Sequence, residues 1–576
     1  MRQPHSKTPC AERRRGAVPL RLKVAALVLA ALPMGAPSSV AAASSGERYF
    51  DTVRSIDLFG EVTRQVAGNY VDTLDVGRMI YSGIDGMLET LDPYSVFLDA
   101  EESRDLGELT SSQYAGIGIT IAALQGGVYV TSVEDGWPAS KAGLRTGDRL
   151  SAVNGTSLDE KSLDEVRELI RGDVGTPVTL DVRRSGSEPF RRRIMREEVQ
   201  LSTVEHAAFL KGAKGIGYIA MSSFADRSGA DLRGALETLR SEAVRLGTPM
   251  RGVILDLREN PGGLLEAAVD VTSSFVEKGS PVVSIRGRSS AATQSYSTAK
   301  EPFDAGVPLA VLVNARSASA AEIVAGAVQD LDRGVIVGER SFGKGLVQSV
   351  IGLPYENSLK LTTAKYYTPS GRLIQKESGL AHGARDVLPR QKAGAGTEEV
   401  FRTSRKRKVY GGGGIQPDVA VSDPEPSAYL DALYRKGMLF LFAREWRSTH
   451  PAPPAAADSV AIASEFGVFL KAQEFLYRSA ADRKLEELKK LLAEEEREED
   501  AKTGAALVAM EREVDLARAG EMRAAAGEVA AALREELLLH YDEGRAFDEE
   551  IGRDPVVLKA AGILSSPRTY RRMLGR

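Results

Sequence analysis

Cysteine is almost missing from this chain: Cys10 is the only one in 576 residues, and it stands near the N-terminus ahead of an apolar run. The body of the protein therefore has no disulfide framework, no cysteine metal set and no thiol nucleophile. Histidine is scarce too, and none of His5, His206, His382, His450 and His540 lies in a recognisable motif. The base that most serine hydrolases use is thus not in evidence, and no metal-ligand spacing is present. Charge of one sign is lacking: 75 basic residues face 79 acidic ones, a net charge of -4. That balance disfavours nucleic acid and other polyanions as partners. The apolar run 24–32 is well short of the roughly 20 residues needed to span a bilayer. Otherwise the composition, 43% hydrophobic and 27% charged, is that of a globular protein long enough for several cores.

What is present begins with Arg13, Arg14, Arg15, Arg21 and Lys23, then the apolar run, then Ala41-Ala42-Ala43. That order predicts a secretory signal peptide over 1–43 and export to the periplasm or cell envelope, with an uncleaved membrane association as the alternative. Cys10 precedes the apolar run, so it is not a lipoprotein acceptor. Residues 44–102 have helical apolar spacing and close on the turn Leu91-Asp-Pro-Tyr-Ser95. Residues 103–197 contain short strands, one helix and a glycine-rich turn, and resemble a PDZ domain. There Tyr114, Gly116, Ile117, Gly118 and Ile119 are the candidate tail-binding residues. Such a turn exposes backbone N–H groups that hold a terminal carboxylate while the peptide adds a strand. A dinucleotide fingerprint is a weak alternative, since the third glycine is missing and a strand follows. From 198 to 423 strands and helices alternate, which is α/β construction. Residues 424–576 are charged, alanine-rich and helical, either a solvated face or an oligomerisation or adaptor surface.

Chemistry concentrates at three places. In Ser317-Ala-Ser-Ala-Ala-Glu322, Ser319 and Glu322 fit a helix capping box. The same serine, at a strand-to-helix turn, would also sit beside unsatisfied N–H groups able to stabilise an oxyanion. Asn260-Pro-Gly-Gly263 is a second such turn, or simply a tight connection. In Ser341-Phe-Gly-Lys-Gly-Leu-Val-Gln348, Lys344 is a base candidate if burial lowers its pKa, and Gln348, four residues on, shares its face. Two rival readings of this segment are poor. As a phosphate-binding loop it has Gly345 where a Ser/Thr must hold magnesium, and as a Ser-x-x-Lys acyltransferase its companion Lys502-Thr-Gly504 falls in the helical tail.

Together Leu255-Asp-Leu-Arg-Glu-Asn-Pro-Gly-Gly-Leu-Leu265, Ser317-Ala-Ser-Ala-Ala-Glu-Ile323 and Phe342-Gly-Lys-Gly-Leu-Val-Gln348, in that order after a PDZ-like segment, resemble the carboxy-terminal processing (tail-specific) peptidases of family S41. Leu91-Asp-Pro-Tyr-Ser95, Tyr367-Thr-Pro-Ser-Gly-Arg372 and Gly412-Gly-Gly-Ile-Gln-Pro-Asp418 look like that family too. The resemblance implies a multidomain α/β fold: a crotonase-like (ClpP/crotonase) core with an inserted PDZ domain, an N-terminal helical module and a C-terminal helical extension. It also implies an exported serine endopeptidase that cleaves proteins near or from their C-termini, needing no cofactor or metal. By the same resemblance Ser319 is the nucleophile, Lys344 the general base and Gln348 the residue that orients it. Ala320, Gly262 and Gly263 would supply the backbone oxyanion hole. Ala321 stands where the family often has a further serine. Expected partners are substrate C-terminal tails, a second copy through the C-terminal helices, and an adaptor or activator protein. The basic cluster Arg402-Thr-Ser-Arg-Lys-Arg-Lys408 reads as a local surface or substrate contact rather than a nucleic-acid site. The rival function is a noncatalytic PDZ scaffold.

Overall fold

A computed structural model describes residues 28–29, 45–288, 293–376, 399–423, 425–455, 458–494 and 501–576. The predicted signal peptide otherwise lies outside these residues. The described chain forms two compact units.

One unit holds Ser202–Ser422, Pro555–Arg576 and the described residues up to Ser112. At its centre is a six-stranded sheet in the order Val204–Phe209, Ile216–Met221, Gly252–Asp256, Leu309–Val313, Val335–Gly338, Val419–Ala420. All pairs but the first are parallel. Every residue of Ile216–Met221, Gly252–Asp256, Leu309–Val313 and Val335–Gly338 is buried. Continuous apolar runs of this kind, rather than alternating ones, are what a parallel sheet covered on both faces requires. The helices Ser228–Arg245, Leu265–Ser273 and Ala320–Asp330 share the main core with these strands. A second sheet contains Leu346–Gly352, Ser358–Tyr367, Pro281–Gly287 and Gln294–Ser297. Gly263–Leu264 joins it through the two-residue parallel strand Val28–Leu29.

Residues 44–102 contain the expected helices, Ser45–Asn69 and Val76–Leu88, and a third, Ala100–Ser111, runs past that boundary. The short strand Val96–Leu98 pairs antiparallel with Ser358–Tyr367, bringing the helical module onto the second sheet.

At the end of the helical extension, Pro555–Leu564 and Pro567–Met573 fall in the compact unit of the central sheet, and Pro555–Leu564 packs on its strands. Val556, Val557, Ala560, Ala561, Ile563 and Leu564 are buried. The Tyr570 hydroxyl accepts the Leu309 N–H at 2.9 Å and donates to the Arg333 carbonyl at 3.1 Å. The basic cluster is likewise structural at its centre. Arg407 bonds Asp332 at 2.6 Å and Asp418 at 2.5 Å, inside a hairpin made by Val400–Arg402 and Lys408–Tyr410.

The other unit contains Gln113–Leu201 and Asp423–Asp554. The five strands Ile119–Leu124, Gly127–Val133, Arg149–Val153, Pro177–Arg183 and Phe190–Met195 form an antiparallel sheet whose edge is Ile119–Leu124, with the helix Leu163–Ile170 packed near that edge. The later segments form a helical array around Leu433, Phe440, Phe442, Trp446 and Leu533. Tyr129 of the sheet meets Phe440 edge to face at 6.0 Å.

Candidate active site

Ser319 ends the connection from Leu309–Val313 and opens the helix Ala320–Asp330. Its backbone is at φ 59°, ψ −115°, a conformation that side-chain-bearing residues rarely adopt. Strain of this kind costs on the order of 1–3 kcal/mol and persists only where the surroundings impose it. The imposing contacts are visible. Ser317 donates to the Leu257 carbonyl at 2.7 Å, Ala318 N–H to the Asn260 carbonyl at 3.0 Å, and the Tyr366 hydroxyl to the Ser319 carbonyl at 3.1 Å. Ser319 is fully buried, and its Oγ has no hydrogen-bond partner among the described residues. The capping role read from the sequence is carried by the other partner: the Ser319 N–H donates to Glu322 at 2.9 Å.

The turn Asn260-Pro-Gly-Gly263 lies directly against this serine. A Cβ on Gly262 would stand 2.7 Å from Ser319 Cβ and 2.9 Å from the Ala320 nitrogen, so only glycine fits, and its φ is 99°. One expectation changes here. The Gly262 N–H is already donated to Asn260 Oδ1 at 2.9 Å, so Gly262 contributes close approach rather than an oxyanion donor. In this turn the Gly263 N–H is the remaining candidate, beside that of Ala320 at the helix start. Asn260 is the clamp of the arrangement, since its Nδ2 also donates to the Met221 carbonyl at 2.8 Å.

Lys344 arrives from the segment between Val335–Gly338 and Leu346–Gly352 and is 1% exposed. Burial, then the nearby charge of Lys360, push its pKa down to about 7, against the opposing pull of Asp92 and Glu322. Near neutral pH the amine is thus available as a proton acceptor, which an ordinary lysine is not. Its Nζ lies 4.5 Å from the centre of the Tyr94 ring.

Glu322 binds serine and lysine into one structure. Its Oε2 accepts the N–H of Ser319 and of Lys344, each at 2.9 Å, and its Oε1 accepts the Ser341 hydroxyl at 2.5 Å and the Gly343 N–H at 2.8 Å. The two backbone nitrogens are therefore no more than two hydrogen-bond lengths apart. Burial raises the Glu322 pKa to about 7, against the lowering effect of the same four bonds. The sequence offered Glu322 only as a cap residue, and its reach across to the lysine segment had no local signal.

Gln348 is buried, donates from Nε2 to Thr362 Oγ1 at 3.2 Å, and leaves Oε1 without a partner among the described residues. The Tyr367-Thr-Pro-Ser-Gly-Arg372 motif has an anchoring place: Arg372 pairs at 2.8 Å with Asp330, the last residue of the Ser319 helix.

In the other unit, Gln113–Gly116 pairs antiparallel with Glu197–Gln200, and Tyr114 lies opposite Val199. The Ile117 side chain is 1% exposed and packs in the domain core. Gly118 is at φ 78°, and its carbonyl accepts the Glu134 N–H at 3.0 Å. Ile119 begins the edge strand of the sheet.

The protein-family comparison matches residues 215–383 to peptidase family S41, 129–184 to a PDZ domain, and 429–564 to the C-terminal helical domain of probable PDZ-proteases. A carboxy-terminal-processing protease of Bartonella bacilliformis is 38% identical over 326 residues, spanning 56% of this chain and 74% of that protein. The chain belongs to peptidase family S41. A second relative, the carboxy-terminal processing protease CtpB of Bacillus subtilis, is 31% identical over 350 residues, spanning 60% of this chain and 71% of that protein. Among solved structures, the photosystem II D1 C-terminal processing protease covers 63% of this chain and 92% of its own at 29% identity, with a TM-score of 0.32. The S41 peptidase is thus a serine-type peptidase of mixed α/β architecture with a PDZ domain and a C-terminal helical domain, as its motifs implied.

Proposed function

We propose that this peptidase hydrolyses peptide bonds with Ser319 as nucleophile and Lys344 as general base, acting on polypeptides whose C-terminal tails its PDZ domain holds. The observation that carries the reading is the single carboxylate oxygen of Glu322 that receives both the Ser319 and the Lys344 N–H, in a site where the serine is strained and the lysine amine buried. In the first step Ser319 Oγ passes its proton to Lys344 Nζ and bonds to the scissile carbonyl carbon. The oxyanion takes the N–H groups of Ala320 and Gly263, at the positive end of the helix. Collapse expels the amine with the proton from Lys344. Water, deprotonated by the same lysine, then releases the acyl chain. Gln348 presents an acceptor that would hold the lysine ammonium between these steps.

Tail capture is supported by Ile119–Leu124, which among the described residues is an edge strand of its sheet, and the positive-φ turn at Gly118, which suit strand addition and carboxylate binding. Export to the periplasm or cell envelope is supported by the basic, apolar and small-residue order of 1–43. No helix among the described residues is long and apolar enough to cross a membrane. Self-association through the C-terminal helices is supported by exposed Leu491, Val508 and Leu516, and an adaptor protein is a second partner for that surface. The test is cleavage of an unfolded substrate labelled at its C-terminus by the parent, Ser319→Ala and Lys344→Ala. Cleavage by the parent alone is expected, and equal cleavage by all three overturns the site assignment.

A further inference from the structure

The mechanism above uses nothing from the N-terminal helical module, yet the turn that closes it reaches the site. Asp92 Oδ1 accepts the N–H groups of Tyr94 at 2.8 Å and Ser95 at 2.9 Å, and Oδ2 accepts the Ser95 hydroxyl at 2.9 Å. Ser95 Oγ in turn accepts the Thr362 N–H at 3.1 Å. Asp92 Oδ1 also receives the Thr362 hydroxyl at 3.2 Å, across 270 residues of sequence, and that hydroxyl oxygen accepts from Gln348 Nε2 at 3.2 Å.

The direction of this chain is dictated by chemistry. An ionised carboxylate only accepts, so the Thr362 proton must go to Asp92. The threonine oxygen then faces Gln348 as an acceptor, which the glutamine can meet only with its NH2 group. Its carbonyl Oε1 is therefore turned the other way, buried and without a partner among the described residues. Meanwhile the next residue but one, Tyr94, lays its ring over the Lys344 amine.

We propose that the 92–95 turn of the helical module is a positioning element of the active site, in which Asp92 acts through Thr362 to set the polarity of Gln348 and Tyr94 shields the Lys344 amine from water. This rests on Lys344 being the base. The charged and titratable groups around that amine are Lys360, on Ser358–Tyr367, Glu322, on the Ser319 helix, and Asp92 and Tyr94 themselves. The two parts of the turn act on the lysine in opposite senses. Losing the ring admits water, which favours the ammonium more than the lost attraction of the ring face disfavours it, whereas losing the Asp92 charge disfavours it.

The test is the pH dependence of kcat/KM on one fluorogenic peptide for the parent, Tyr94→Ala, Tyr94→Phe, Asp92→Asn and Lys344→Ala, each checked for a parental melting curve. The acid limb of Tyr94→Ala should move up by about 0.5–1.5 pH units, with activity about 10-fold low at pH 7 but largely recovered at pH 9. Tyr94→Phe should keep the parental limb. Asp92→Asn should move it down by about 0.3–1 unit while lowering the alkaline plateau of kcat/KM, because an amide can reverse the Thr362–Gln348 chain. A variant that is merely misshapen loses activity evenly across pH and is not rescued by alkali or by phenylalanine. Limbs of Tyr94→Ala and Asp92→Asn that both coincide with the parental one overturn the inference while leaving the base assignment intact. An active Lys344→Ala overturns the base assignment itself.

Discussion

Replacing Glu322 by glutamine takes one charge and one acceptor from the point where four donors meet. If the amide nitrogen takes the place of Oε2, the N–H groups of both Ser319 and Lys344 lose their acceptor. If it takes the place of Oε1, the Gly343 N–H loses its acceptor. The Ser341 hydroxyl can then turn and accept, although its oxygen already receives the Ile415 N–H at 2.6 Å. The second orientation is the less costly and still strands one buried N–H, a penalty of about 1–3 kcal/mol. Some of that is offset because a neutral amide is easier to bury than a carboxylate. A net loss of about 1–2 kcal/mol in urea unfolding at pH 7.5 is expected. The glycine-flanked lysine segment shifts as its anchor weakens, and kcat should fall about 10–100-fold with KM little changed. The acid limb of the pH profile should also move down, since Glu322 holds the Lys344 pKa up. A glutamine variant with parental stability and kcat would refute the view that this carboxylate assembles the site.

Further outcomes follow from other contacts. Because burial lowers the Lys344 pKa from 10.5 to about 7, the unfolded chain binds a proton in that window that the folded chain does not, so parental stability rises with pH there. Lys344→Met should be inactive but more stable, by on the order of a few kcal/mol at pH 7, and its advantage in Tm should shrink as pH is raised toward 10. Gly262→Ala places a methyl 2.8 Å from the Ala318 carbonyl at a φ of 99°, so it should lower kcat at least 100-fold and reduce Tm. Gly118→Ala, whose methyl would meet Trp137 Cβ at 2.7 Å, should weaken binding of a C-terminal peptide measured by fluorescence anisotropy while leaving hydrolysis of a small ester unchanged.

The proposed site residues stand out in the sequence because each sits in a short contiguous motif: Ser319 and Ala320 at a helix start, the glycines of a tight turn, and Lys344 four residues before Gln348. The α/β alternation was legible as well, since buried parallel strands leave continuous apolar runs such as Leu309–Val313. What could not be read were relations between segments. Glu322 looks like a cap because its N3 position is local, while its bonds to 341–344 exist only after folding. Asp92 and Thr362 are joined through one hydroxyl across 270 residues of sequence. That the Gly262 N–H is engaged depends on the side-chain rotamer of Asn260. The helices Pro555–Leu564 and Pro567–Met573 read as a continuation of the helical extension, because helical sequence does not say which sheet it covers.

The central claim is that Ser319 is made nucleophilic by a buried Lys344 whose lowered pKa leaves much of the amine neutral near pH 7. Covalent labelling by an acylating or phosphonylating probe, followed across pH and located by peptide mass spectrometry, tests this most directly. The account predicts a single adduct on Ser319, formed at a rate that climbs through pH about 7 and falls at least 1,000-fold in Lys344→Ala. Labelling of Ser317 or Ser341 instead, or a Ser319 rate indifferent to the loss of Lys344, would contradict it.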